Sequence, residues 1–147
     1  MRECHFELER MITMKKTIIL PALLACGFAV CMVAQSEADY SGWMKDVGAT
    51  KGKVTKEIAA KQTTEAASDA SHLADIFKQV GAFWAGRNAS DAVTMAKDAE
   101  TASNDLAAAA KAGDEAKMQS SMQALNGTCG GCHKAHREGT PGSFKIK

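Results

Sequence analysis

Proline is almost absent from this chain. Its 147 residues hold only Pro21 and Pro141, so nothing between those two positions obliges a helix to break. Aromatic residues make up 5%, and no stretch alternates apolar and polar residues at the period of two that marks a half-buried strand. A core built on a sheet is not expected. An excess of charge of either sign is missing too: from Glu37 to Lys147 there are 14 Lys and Arg against 14 Asp and Glu. With no basic stripe interleaved with aromatics, nucleic acid is not an expected partner. Cysteine is scarce where it would matter for cross-linking. Of five, Cys4, Cys26 and Cys31 lie in the N-terminal segment, and only Cys129 and Cys132 remain beyond it, which excludes a disulfide framework.

What is abundant is alanine, concentrated between Ala59 and Ala124. Alanine is the best helix former, and its short side chain lets helices approach closely. With 46% hydrophobic residues, a chain of this length has room for one core.

The N-terminal segment reads as an export signal. Lys15 and Lys16 precede an apolar run from Thr17 to Ala34, and Ala34 and Ser36 suit the small-residue positions before a cut between Ser36 and Glu37. Residues 1–36 are therefore expected to be removed, leaving 37–147 as a periplasmic domain with no membrane attachment. The three acids before Met14 are foreign to a signal, which points to a start at Met14 or Met11. Two alternatives stay open: a retained anchor, since the run approaches the ~18 residues that span a bilayer, and lipid attachment at Cys26.

The remaining two cysteines stand in Cys129-Gly130-Gly131-Cys132-His133. Two cysteines two residues apart and followed by histidine form the attachment signature of c-type haem. Each thiol bonds one vinyl group of the porphyrin, and the next side chain lies under the iron, where its imidazole serves as proximal ligand. Two other chemistries use related residues. A thiol–disulfide motif needs a strand–helix–strand context that is absent here. Structural zinc, with His136 as fourth ligand, needs two ligand pairs converging from different elements, whereas these four residues share two turns of one segment.

Apolar residues recur at helical spacing in four stretches. The first covers Ala38 to Ala60, with Tyr40, Trp43, Met44, Val47, Val54 and Ile58 on a stripe that Lys51 interrupts and Gly48 and Gly52 weaken. The second follows the capping pair Thr63-Thr64, and Gly81, Gly86 and Asn88 mark the connection after it, with Phe83-Trp84 inside that connection. The third starts near Ser90-Asp91. Gly113 is the expected C-cap and Asp114 the next N-cap, and the fourth helix runs from Glu115 to Glu138. Beyond it, Ser143–Lys147 reads as a loose tail. Such a pattern folds most simply as an all-α, antiparallel up-down four-helix bundle, with one haem c per chain inserted against the C-terminal helix. Gly127, Gly130 and Gly131 would then let the porphyrin approach the backbone, although for Gly127 a plain helix-end role stands equally open.

The sixth iron position separates a closed electron carrier from a haem open to small gases. His136 lies one turn beyond His133 on the same helix and cannot reach the opposite face. Met122 sits 11 residues before His133, about 16 Å along the axis, and Met118 is further still. Met95 falls on a core stripe and His72 at a surface boundary, which leaves Met44.

These residues together resemble the cytochrome c′ superfamily over Ala38 to Glu138. The resemblance rests on Cys-x-x-Cys-His near the C-terminus, on Arg137 four residues after the histidine, on Phe83-Trp84 before the third helix, and on Trp43-Met44-Lys45-Asp46-Val47-Gly48, which is similar to the first helix of the low-spin branch. It implies Cys129 and Cys132 as anchors, His133 as proximal and Met44 as distal ligand. Arg137 becomes a candidate partner of a haem propionate, against the reading of a solvated helix-end arginine, and Trp84 a candidate haem-edge contact, against core. The implied function is one-electron transfer with redox partner proteins in the periplasm; the alternative is five-coordinate binding of NO or CO. No distal acid–base pair is visible, so an enzyme is not expected, and a homodimer is compatible with the alanine-rich faces. Two departures stand out: His136 occupies a position that is usually aromatic, and the link between the second and third helices is short.

Overall fold

The computed structural model describes residues 35–140 and 143–147. Four helices follow one another: α1 (Glu37–Ala59), α2 (Thr63–Gly86), α3 (Ser90–Ala112) and α4 (Glu115–His136). Helix α1 packs on α2, α2 on α3 and α3 on α4, whereas α1 and α4 make little direct backbone approach. This is the all-α four-helix bundle expected. Among the described residues no helix is long and apolar enough to cross a membrane; most of the expected signal segment lies outside the described residues.

Two of the four helix starts follow local capping chemistry; α2 and α3 begin after Gln62 and Ala89, which make no side-chain cap hydrogen bond, so the capping role expected of Thr63-Thr64 is not realised. Ser36 caps α1: its hydroxyl accepts from the Asp39 N–H at 3.1 Å, and the Asp39 carboxylate accepts from the Ser36 N–H at 2.9 Å. A chain cut between Ser36 and Glu37 loses this reciprocal cap, which is worth about 1 kcal/mol. Between α3 and α4, Gly113 takes φ +68° and Asp114 caps the new helix by accepting from the Lys117 N–H at 2.9 Å. Helix α2 differs from expectation. It runs through Gly81 to Gly86, so Phe83 and Trp84 belong to the helix and not to a connection. A glycine lowers helix propensity by only about 1 kcal/mol, and burying those two large aromatics outweighs that cost. The turn falls instead at Arg87-Asn88, with Asn88 at φ +58°.

The core is lined by alanines on the α2 and α3 faces, including Ala66, Ala70, Ala92 and Ala99, around the fully buried Leu73, Leu106, Met118 and Leu125. The C-terminal residues are not a loose tail. Helix α4 ends at His136, two residues short of the expected boundary, and Arg137–Glu138 (β1) pairs antiparallel with Lys145–Ile146 (β2). Gly139 makes the return possible: its φ is +92°, and a Cβ there would lie 2.6 Å from the Ser143 carbonyl oxygen. Ile146 packs against the core.

Truncating Leu106 to alanine should cost about 2–5 kcal/mol, read as a lowered urea midpoint of the haem-loaded protein. Acid should also weaken the fold. Hydrogen bonds from His72 and His136 hold the carboxyls of Asp46 and Asp91 below the ordinary value. A carboxyl depressed in the folded state stabilises above the unfolded pKa, and that contribution disappears as pH falls through the folded one. The melting temperature should therefore drop below about pH 4, and less steeply for Asp91→Asn; parallel slopes in thermal melts of the two proteins would refute the assignment to Asp91.

Candidate haem site

The gap between α1 and α4 is the cleft of the molecule. Its inner part, a cavity of about 120 Å³, is lined by Tyr40, Met44, Val47, Gly48 and Lys51 from α1, Phe77 and Val80 from α2, Met95, Ala96 and Ala99 from α3, and Thr128, Cys129, Cys132 and His133 from α4. A wider hollow of about 480 Å³ opens beside it, sharing Tyr40, Met44, Cys132 and His133 and adding Lys45, His136, Arg137 and the 144–146 strand among others. All four helices thus contribute, and the motif on α4 faces Met44 on α1.

Helical spacing explains the assembly. Met44, Val47, Gly48 and Lys51 recur every three or four residues and lie on one face of α1. Cys129, Cys132 and His133 do the same on α4, all half-buried. At Gly48 the lining has no side chain, and a Cβ built there meets nothing within 4 Å. The same holds at Gly127, Gly130 and Gly131, so packing within the protein does not demand glycine at those sites. Lys51 spans the gap, its Nζ donating to Asn126 Oδ1 at 2.9 Å.

The electrostatics suit a neutral ligand set. Burial pushes the His133 imidazolium below its ordinary pKa, with the charges of Arg137 and Lys51 adding to the effect, so the imidazole keeps a free lone pair at neutral pH. Burial raises both thiols; Lys51 opposes this at Cys129, and the charges of Cys129 and Asp91 reinforce it at Cys132. Both cysteines are free. Tyr40, half-buried in the cleft wall, is pushed up to about 12 chiefly by desolvation and stays a neutral phenol. Two unlinked thiols, a neutral imidazole and an apolar slot with an unfilled position at Gly48 fit a covalently held porphyrin. Among the described residues no three His, Cys, Asp or Glu side chains converge as a metal cluster. His136 turns to Asp91 instead, Nε2 to Oδ2 at 2.8 Å.

The structure brings Cys129, Cys132, His133 and Met44 together and places Arg137 at the outer hollow. There the Arg137 guanidinium lies 4.1 Å from the centre of the Phe144 ring. Trp84 is only 2% exposed and lines neither hollow; it supports the site from behind, edge-on to Tyr40 at 5.6 Å and against His136 at 4.9 Å. His72 bonds Asp46 at 2.9 Å on the surface. Sequence reasoning weighed Met95 and assigned it to the core stripe, whereas it lines the inner cavity as a second methionine, and it treated Lys51 only as a break in the stripe. One signal was present: Met95, Ala96 and Ala99 sit on a single helical face, but lining and core share that pattern.

No solved structure matches the chain. A family model described as Cytochrome C′ matches residues 32–137. A cytochrome c′ of Rhodospirillum rubrum is 30% identical, the match covering 82% of this chain and 97% of the relative. With a bundle whose facing helices carry a haem c motif, and with that match across nearly all of the described domain, this chain is a member of the cytochrome c′ family and binds covalently attached haem c.

Proposed function

We propose that this protein is an exported monohaem cytochrome that passes single electrons in the periplasm, with His133 on one side of the iron and Met44 on the other. What carries the reading is that Met44 lines the same cavity as His133 from the opposite helix. Haem c supplies a one-electron ferric–ferrous couple when bound. Cys129 and Cys132 would hold the porphyrin through thioethers. His133 would offer its neutral imidazole to the iron, and the Met44 thioether would favour the ferrous state over what a second imidazole would give. Val47, Phe77 and Val80 keep water from the slot, and Gly48 leaves it open. Lys51 and Arg137 place positive charge near the site, which opposes a further positive charge on the metal.

A second reading, five-coordinate binding of NO or CO with Met44 packed over the iron unbonded, is favoured by the comparisons. The matching family and the Rhodospirillum relative both carry the name cytochrome c′, the type to which that reading belongs.

Absorption spectra of the ferrous protein with and without carbon monoxide separate the two. The electron-carrier reading expects little change in the wild type at neutral pH, rapid carbonyl formation in Met44→Ala, and no such gain in Met95→Ala. Rapid carbonyl formation in the wild type would overturn it in favour of gas binding. Covalent attachment has its own check: replacing both Cys129 and Cys132 with serine should let acidified acetone extract the haem, while the wild type retains it.

A further inference from the structure

The domain from Glu37 onward is neutral in sum, yet its charge is not spread evenly. Lys45, Arg137 and Lys145 line the outer hollow. Lys147 is drawn to the same end of the molecule, its Nζ donating to the Lys134 carbonyl at 3.2 Å. Of the acids nearby, Glu37 pairs with Arg87 at 2.9 Å, and Glu138 is exposed across the strand register from Lys145. In the same lining, against Arg137, sits Phe144, 47% exposed and the one large hydrophobic side chain left in solvent among the described residues. It is held there. The strand pairing, the Lys147 N–H donating to the His136 carbonyl at 3.1 Å, and the seating of Ile146 on the core fix the segment that carries it. Ordering a chain end costs conformational entropy, and Ile146 recovers some of it by burial, but an exposed ring recovers little. A fixed aromatic beside arginine, rimmed by lysines, has the composition of a protein interface centre with a steering rim.

We propose that Phe144, with Lys45, Arg137 and Lys145 beside it, is the docking surface for an electron-transfer protein that presents an acidic face. The proposal rests on the redox reading of the haem cleft, because the outer hollow shares Met44, Cys132 and His133 with the inner one. One electron leaves the reduced partner and reduces the ferric haem to ferrous; no bond is made or broken and no proton moves.

The test uses the haem-loaded protein and a fully reduced flavodoxin with an acidic surface as the probe, followed by stopped-flow absorbance at low and physiological salt. The wild-type rate constant should fall as salt rises. The pair Lys45→Glu with Lys145→Glu should slow reduction about tenfold at low salt. Lys111→Glu with Lys117→Glu changes the net charge equally at the far end of the bundle and should slow it less than about twofold. Phe144→Ala should slow it while leaving the reduction potential in place. Equal slowing by the two charge pairs, or no slowing by the Lys45/Lys145 pair while dithionite still reduces the haem reversibly, would overturn the docking surface alone. Failure of the wild type to cycle reversibly between ferric and ferrous forms would overturn the redox reading and the proposal with it.

Discussion

Everything distinctive about this bundle follows from the separation of α1 and α4. Three successive helix pairs close through small residues, and alanine faces on α2 and α3 bring their backbones together around Leu73 and Leu106. At the fourth contact α1 has no side chain at Gly48, and the opening is lined largely by apolar groups, Val47, Phe77, Val80 and Ala99 among them. Close-packed interiors do not leave such a space unfilled without losing dispersion contacts on every lining atom. A flat apolar ring held on α4 would add contacts for Val47, Phe77, Val80 and Ala99 together. The prosthetic group would thus extend the core as well as supply the chemistry.

Because α1 gains little from α4 directly, other interactions hold it in place. Arg87 ties Glu37 to the turn after α2 while its guanidinium lies 4.5 Å from the Phe83 ring. Tyr40 stacks on Phe83 at 4.6 Å between ring centres, and Trp43 meets the same ring edge-on at 6.5 Å. Exposed ion pairs such as Arg87–Glu37 contribute well under 1 kcal/mol, so the buried aromatic platform dominates. Trp84 and Phe83 sit at its centre. Their role is to fix the height of α1 over α4, and hence the width of the slot.

The readable parts of the sequence were those whose physics is local. The haem signature, the four helical periods and the Gly113–Asp114 break depend on neighbours in the chain, and each stands where spacing and capping rules put it. The failures were at longer range. Gly81 and Gly86 look like punctuation, yet α2 continues through Gly81, where an added Cβ would meet only Ala96 Cβ at 3.7 Å. Phe83 and Trp84 are carried into the platform as a result. The β1–β2 pairing involves two residues on each side, too few to show any period. Its decisive residue, Gly139, is legible only once the return of Ser143 is known. Met95 was indistinguishable from core because a cavity wall and a packed face have the same helical spacing.

That last ambiguity bears directly on the chemistry. A thioether ligand needs no charge and no proton, so nothing in composition or pKa marks it, unlike His133, whose basicity the surrounding burial and cations visibly lower. What distinguishes a bonding methionine from a packing one is distance to the metal, which here is the distance between two helices that scarcely touch. The platform under Tyr40 and the Lys51–Asn126 bridge set that distance from the two ends of the slot. On the proposed reading, a bond from Met44 would depend on how α1 is propped as much as on Met44 itself. A weakened prop, such as a smaller residue at Phe83, would shift Met44 relative to His133 without touching the haem pocket.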